Sequence, residues 1–136
     1  MDDLYRDEIL EHDREPHNFG TLYAPDASYE GHNPLCGDRI TMMLIVDDEG
    51  AVNDVAFSGR GCAISQASAS MLTDEIKGRP VSEDEAMTNP DILDLLGIEI
   101  SPARLKCALL SLDTVQHALE EHGGKEATPD DPVASA

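Results

Sequence analysis

The sequence predicts an α+β fold: one segment carries apolar residues with period two, and the segments around it carry them at helical spacing. Between Pro25 and Gly59, Ile40, Met42, Leu44 and Val46 alternate along one strand and Val55 and Phe57 along the next. Asp47-Asp48-Glu49-Gly50 is a turn between them, and Ala27 to His32 supplies a further strand, giving a three-stranded antiparallel sheet. Ahead of the sheet, residues 2–15 read as a helix with Tyr5, Ile9 and His12 on one face, ended by Pro16. His12 on that stripe reads as a packed histidine and not as a ligand. After the sheet, Ala63 to Lys77 is helical, with Gly78 at its C-cap and Pro80 beyond. The first half of this helix is built of small residues, which lets it lie close to whatever it packs on. Ser82 and Glu85 have capping-box spacing, and Asn89-Pro90 reads as an N-cap followed by proline, so two short helices are expected. Ser101-Pro102 repeats that signal and opens a last helix, expected to run to about His122 and to stop at Gly123-Gly124.

A chain of 136 residues suits one compact domain, expected over residues 1–124. Residues 125–136, with Thr128-Pro129-Asp130-Asp131-Pro132, lack apolar periodicity and read as a disordered acidic tail. Nine basic against 28 acidic residues give a net charge of −19. That field repels phosphate backbones and anionic lipid, which argues against nucleic acid or membrane partners. It reads as a solvated surface, screened at high salt, or as a means of steering a basic protein partner. No apolar run approaches the roughly 18 residues of a membrane span, and Met1-Asp2-Asp3 is the opposite of a basic signal-peptide start. A soluble, cytoplasmic protein is expected.

Three widely spaced cysteines in such a chain argue against a disulfide framework and leave thiols available. Each stands at a junction between elements. Cys36 lies in Asn33-Pro34-Leu35-Cys36-Gly37-Asp38 just before a strand, where proline and glycine let Cys36 and Asp38 point the same way. Cys62 follows Gly59-Arg60-Gly61 at the start of the small-residue helix, whose dipole and unpaired N–H groups favour a negatively charged sulfur. Cys107 is placed in the second turn of the last helix. Leu105, Ala108, Leu109, Leu112, Gln116 and Leu119 cluster on one face of that helix, and Cys107 is placed nearly opposite, off the core stripe. Three thiolates and one carboxylate form a four-ligand set suited to tetrahedral Zn²⁺ or to an iron–sulfur cluster that must leave again. The carboxylate is the weak ligand for a soft cluster and therefore the exchangeable one.

These residues resemble the scaffold family of iron–sulfur cluster assembly, comprising IscU, SufU and the N-terminal domain of NifU. Asn33-Pro34-Leu35-Cys36-Gly37-Asp38 resembles the first family motif, Gly59-Arg60-Gly61-Cys62-Ala63-Ile64-Ser65 the second and Pro102-Ala103-Arg104-Leu105-Lys106-Cys107-Ala108 the third. Leu4-Tyr5, Ile9, His12, Pro16, Asn18 and Gly20 resemble the family's opening helix and loop, so the likeness spans about residues 4–122. It implies a three-stranded antiparallel sheet with helices on one face and a metal site at one end. It also implies that Cys36, Asp38, Cys62 and Cys107 bind zinc or a nascent [2Fe–2S] cluster. The partners implied are a cysteine desulfurase of the SufS or IscS type, which delivers sulfur as a persulfide, and apo iron–sulfur proteins that receive the cluster. Cys107 and Cys36 are the persulfide acceptors the family suggests. Lys106 stands where the IscU branch has histidine, and Ala63-Ile64-Ser65 and Pro102-Ala103-Arg104 resemble the SufU branch, without that branch's usual insertion of about twenty residues. Ile100–Lys106 keeps too little of the IscU chaperone-recognition segment to imply a chaperone. Two functions are therefore expected from the resemblance: a cluster scaffold, or a zinc-dependent sulfur acceptor that stimulates the desulfurase. A structural zinc domain is a remote third.

Overall fold

A computed structural model describes residues 2–33, 37–97 and 99–127, and the side chains of these except 2–6, 103 and 122–127. Helix α1 (Asp2–Arg14) leads into the strands β1 (Ala27–Asn33), β2 (Asp38–Val46) and β3 (Val52–Arg60). Helices α2 (Ala63–Ile76), α3 (Val81–Glu85) and α4 (Asn89–Leu96), a 3-10 turn at Pro102–Arg104, and α5 (Leu105–Ala127) follow. The strands pair antiparallel in chain order, β1-β2-β3. The expected α+β architecture is present, with helices packed against the sheet.

Strand register explains the period-two pattern. Met42 pairs with Phe57 and Leu44 with Val55, so these alternate residues share one face. With Ile40, all are buried under α2 and α5. The Asp47 side chain closes the β2–β3 turn by accepting hydrogen bonds from the Glu49 and Ala51 N–H groups at 2.9 and 3.0 Å.

The run of small residues at the head of α2 does what its composition predicts. Ser68 Oγ donates to the carbonyl of Ala108 at 2.7 Å and lies 2.9 Å from Ser111 Oγ, while Ala67 and Ala69 are fully buried. Backbone-to-hydroxyl contact of this kind is open only to small side chains, and it clamps α2 against α5.

Three details of the helices differ from the sequence expectation. The short helix α3 begins after Pro80 with no side-chain cap, and the capping box lies one helix later: Thr88 is the N-cap of α4, and its N–H donates to the Asp91 carboxylate at 2.8 Å. The last helix continues through Gly123-Gly124 to Ala127, since glycine inside a helix costs only about 1 kcal/mol and the next proline in the sequence is Pro129. Residues 128–136, expected in the tail, lie outside the described residues. Finally, α5 is buried over a broader arc than a single stripe, because it packs on β1, β2 and α2 together. Ser111, Thr114 and Val115 are fully buried, whereas Leu105, placed on the apolar stripe by its spacing, is 37 % exposed.

One buried charge gives the fold a pH dependence. Asp84 is fully buried, and neither carboxylate oxygen has a hydrogen-bond partner among the described residues. Arg79 Nε lies 3.5 Å from Oδ1, but that guanidinium also serves Glu75 and Glu83. Burial pushes the Asp84 carboxyl up to about 7 against the pull of Arg79. A carboxyl raised in the folded state stabilises the fold below its unfolded pKa, and that contribution is lost as pH rises from about 4 through 7. Asp84→Asn is expected to flatten this loss and to raise unfolding stability at pH 8 by about 2 kcal/mol. Urea melts of both proteins at pH 5 and pH 8 test it; parallel pH dependences would refute the assignment.

Candidate metal centre

Strand order brings the chemistry to one end of the sheet. Asp38 is the first residue of β2 and pairs with Asn33, the last of β1, while β3 ends at Arg60 one cross-strand pair away from it. The chain then passes through Gly61 to Cys62, the N-cap of α2. Cys107 is in the first turn of α5, after the 3-10 turn. One carboxylate oxygen of Asp38 and the sulfurs of Cys62 and Cys107 all lie within 4.8 Å of one another. Three residues that are 24 to 69 positions apart in sequence therefore meet as one donor set.

Asp38 and Cys107 are buried and Cys62 is half-buried, so the cluster opens to solvent on the Cys62 side. The burial of Cys107 corrects its sequence placement: it lies within the packed arc of α5 and not opposite it, because α5 is covered by both the sheet and α2. Asp38 Oδ2 is buried without a hydrogen-bond partner among the described residues, which costs a carboxylate about 1–3 kcal/mol. A bound cation at the thiols would offset that cost. The donor set of soft sulfurs and one hard oxygen fits Zn²⁺ or an iron–sulfur unit. Cys36, expected as the fourth ligand, lies outside the described residues; its neighbour Gly37 donates from its N–H to the carbonyl of Asn33 at 2.8 Å.

Sequence reasoning passed over Gly61. A Cβ there would stand 2.1 Å from Ser65 Oγ and 3.1 Å from Asp38 Cγ. Only glycine lets the backbone cross directly over the carboxylate, holding Asp38 against the first turn of α2. A glycine immediately before a cysteine was the available signal. Arg39 and Arg60, paired across β2 and β3, line a cleft with Gly37 and Gly59 beside this end of the sheet. In a chain of net charge −19 they form a local positive rim.

Fold and donor set together define a small α+β domain with a soft-metal donor cluster at one end of its sheet. Comparison with known proteins places it further: residues 4–129 match the NifU-like N terminal domain model, and the chain belongs to that family. It is 36 % identical to the zinc-dependent sulfurtransferase SufU of Bacillus subtilis (strain 168), over 91 % of this chain and 95 % of that one. It is 30 % identical to the iron–sulfur cluster assembly scaffold protein IscU of Escherichia coli (strain K12), over 89 % and 95 %. The crystal structure of a NifU-like N-terminal protein from Brucella abortus superposes with a TM-score of 0.75 at 28 % identity, covering 91 % of this chain and 97 % of that one. The chain's homologues are thus iron–sulfur assembly proteins of both the SufU and IscU kinds. Among the described residues no helix is long and apolar enough to cross a membrane.

Proposed function

We propose that this chain is an iron–sulfur cluster assembly scaffold. It takes persulfide sulfur from a cysteine desulfurase, gathers it with ferrous iron, once an external electron donor has reduced that sulfur to sulfide, as a labile cluster on Cys36, Asp38, Cys62 and Cys107, and passes that cargo to apo-proteins. The observation that carries this reading is the buried carboxylate of Asp38 gathered with two thiols within 4.8 Å, with one oxygen left unpartnered among the described residues. A site built only for stability gains nothing from a desolvated, unsatisfied charge, whereas a site that must load and release a soft cargo gains an exchangeable ligand.

Sulfur reaches the site by thiol exchange. The acceptor thiolate attacks the outer sulfur of the desulfurase persulfide; the new S–S bond forms on the scaffold and the desulfurase cysteine leaves as a thiolate. Arg39 and Arg60 offer positive charge near the point where an anionic sulfur donor must approach. Incubation of the protein with ferrous iron, cysteine, a desulfurase and a dithiol reductant under anaerobic conditions is expected to produce a cluster absorption band, and added apo-ferredoxin is expected to become active as that band decays. Absence of any transferable cluster would overturn the scaffold reading. Mass spectrometry after reaction with desulfurase and cysteine alone is expected to find the added sulfur on Cys36 or Cys107 and not on Cys62.

A second reading is favoured by Lys106, which supplies no ligand beside Cys107, and by the similarity to a zinc-dependent sulfurtransferase. Here Zn²⁺ is held by the same four residues and one thiolate is released to take the persulfide sulfur. Protein purified without added metal then carries one zinc, and removing it abolishes stimulation of desulfurase turnover. Stimulation that survives zinc removal would exclude this version.

A further inference from the structure

A second cluster of metal-ligating side chains stands at the opposite end of α2. His12 near the end of α1, His17 in the loop that follows, and Asp74 in the last turn of α2 each offer a ligand atom, and all lie within 4.8 Å of one another. Asp74 is twelve residues along α2 from Cys62, a separation of about 18 Å on a helix, so the two donor sets are distinct.

The three residues are held in place by groups behind them. His12 Nδ1 lies 2.6 Å from Ser70 Oγ, a fully buried hydroxyl that also accepts the N–H of His17 at 2.7 Å. The Asn18 side-chain amide donates to Asp74 Oδ1 at 3.0 Å and to Thr73 Oγ1 at 3.0 Å, leaving Oδ2 directed at His17 Nδ1 at 2.5 Å. An outer layer that fixes ring and carboxylate orientation is what ligating imidazoles and carboxylates require. His12 is buried, while the side chains of His17 and Asp74 are 54 % and 47 % exposed, so the cluster opens to water on one side. Burial and the neighbouring His17 hold the His12 imidazole toward its neutral form, the form that ligates, against Asp74, Glu8 and Glu11, which favour its protonation. Those same acidic groups raise the local concentration of cations.

We propose that His12, His17 and Asp74 form a second metal site, which binds a first-row divalent transition-metal ion with two imidazoles, one carboxylate and water in the open positions. Two imidazoles and a carboxylate select ions such as Fe²⁺, Ni²⁺ or Zn²⁺ over Ca²⁺ or Mg²⁺, which prefer oxygen ligands alone. Open coordination positions make the ion exchangeable. The site is independent of the sulfur chemistry at the other end of α2 and stands whether or not the scaffold reading holds.

The test is calorimetric titration of Zn²⁺ into the full-length chain without a histidine tag, in 0.5 M NaCl to suppress diffuse binding to the acidic surface. Wild-type protein is expected to take up a second equivalent after the thiol site is filled. His17→Ala and Asp74→Asn, both at half-exposed positions, are expected to weaken that second equivalent at least tenfold and to leave the first unchanged. In protein already loaded with one Zn²⁺, substoichiometric Ni²⁺ is expected to broaden the C2–H proton resonances of His12 and His17 before those of the other three histidines. Zn²⁺ uptake of which no equivalent is weakened by either His17→Ala or Asp74→Asn would overturn the proposal, whether the protein takes up one equivalent or two.

Discussion

Gly59→Ala is expected to destabilise the protein by about 3 kcal/mol or more, a large effect for a single added methyl group. Two independent costs coincide at this residue. Its φ is +129°, a region that side-chain-bearing residues avoid, and the added Cβ would lie 2.0 Å from the carbonyl oxygen of Arg39. The obstacle is backbone, so no rotamer change relieves it; β2 and β3 must separate where Ile40 pairs with Gly59. That pair lies two residues from Asp38 and three from Cys62, so the same displacement should scatter the proposed metal ligands. The midpoint of thermal unfolding is expected to fall by roughly 10 °C. Gly37→Ala supplies the control, since Gly37 has a φ of +74° but a Cβ added there would meet nothing within 4 Å. It should cost only the conformational part, about 1 kcal/mol. Equal losses from the two substitutions would show that the close approach to Arg39 carries no weight.

Asp38→Ala is expected to separate stability from function. In the metal-free protein it removes a buried carboxylate whose Oδ2 has no partner among the described residues, and the fold should gain about 1–2 kcal/mol. Metal affinity should move the other way, falling about 100-fold, which is about 2.7 kcal/mol, because one ligand of the proposed set is gone. Denaturant melts with and without zinc, alongside competition against a chelator, measure both changes on one preparation. Asp38→Cys should tighten binding and slow cluster transfer to apo-ferredoxin, since a fourth thiolate holds a soft cargo more firmly. A destabilised metal-free Asp38→Ala protein would show that the carboxylate is satisfied within the fold and is not a ligand kept at a cost in stability.

The elements were largely legible in the chain because their signals are local. Alternation over Ile40, Met42, Leu44 and Val46 specifies a strand with one buried face whatever surrounds it, and Asp47 to Gly50 specifies a turn from its own side-chain hydrogen bonds. The small residues after Cys62 likewise announce a close helix contact, realised by Ser68 against Ala108. The sequence marked Asp38, Cys62 and Cys107 by their places at element junctions, and the structure gathers those three.

What the chain could not declare depends on partners distant in sequence. The buried arc of α5 is set by how many elements cover it, and a helical wheel drawn on one stripe misplaces both Cys107 and Leu105. Helix ends also resisted prediction: two glycines weaken a helix without ending it, and the capping box formed at Thr88 because Asp91 reaches back to it there. His12 read correctly as a packed residue, but its meeting with His17 and Asp74 arises only when α1 docks on α2, bringing together positions more than fifty residues apart. The sequence thus carried the strand and helix inventory and marked Asp38, Cys62 and Cys107 as candidate donors, since both follow from residue type and short-range spacing. Tertiary structure alone decided which side chains converge, how deeply Asp38 and Asp84 are buried, and why Gly59 and Gly61 must lack a side chain, because burial and close approach are properties of packed elements and not of their order along the chain.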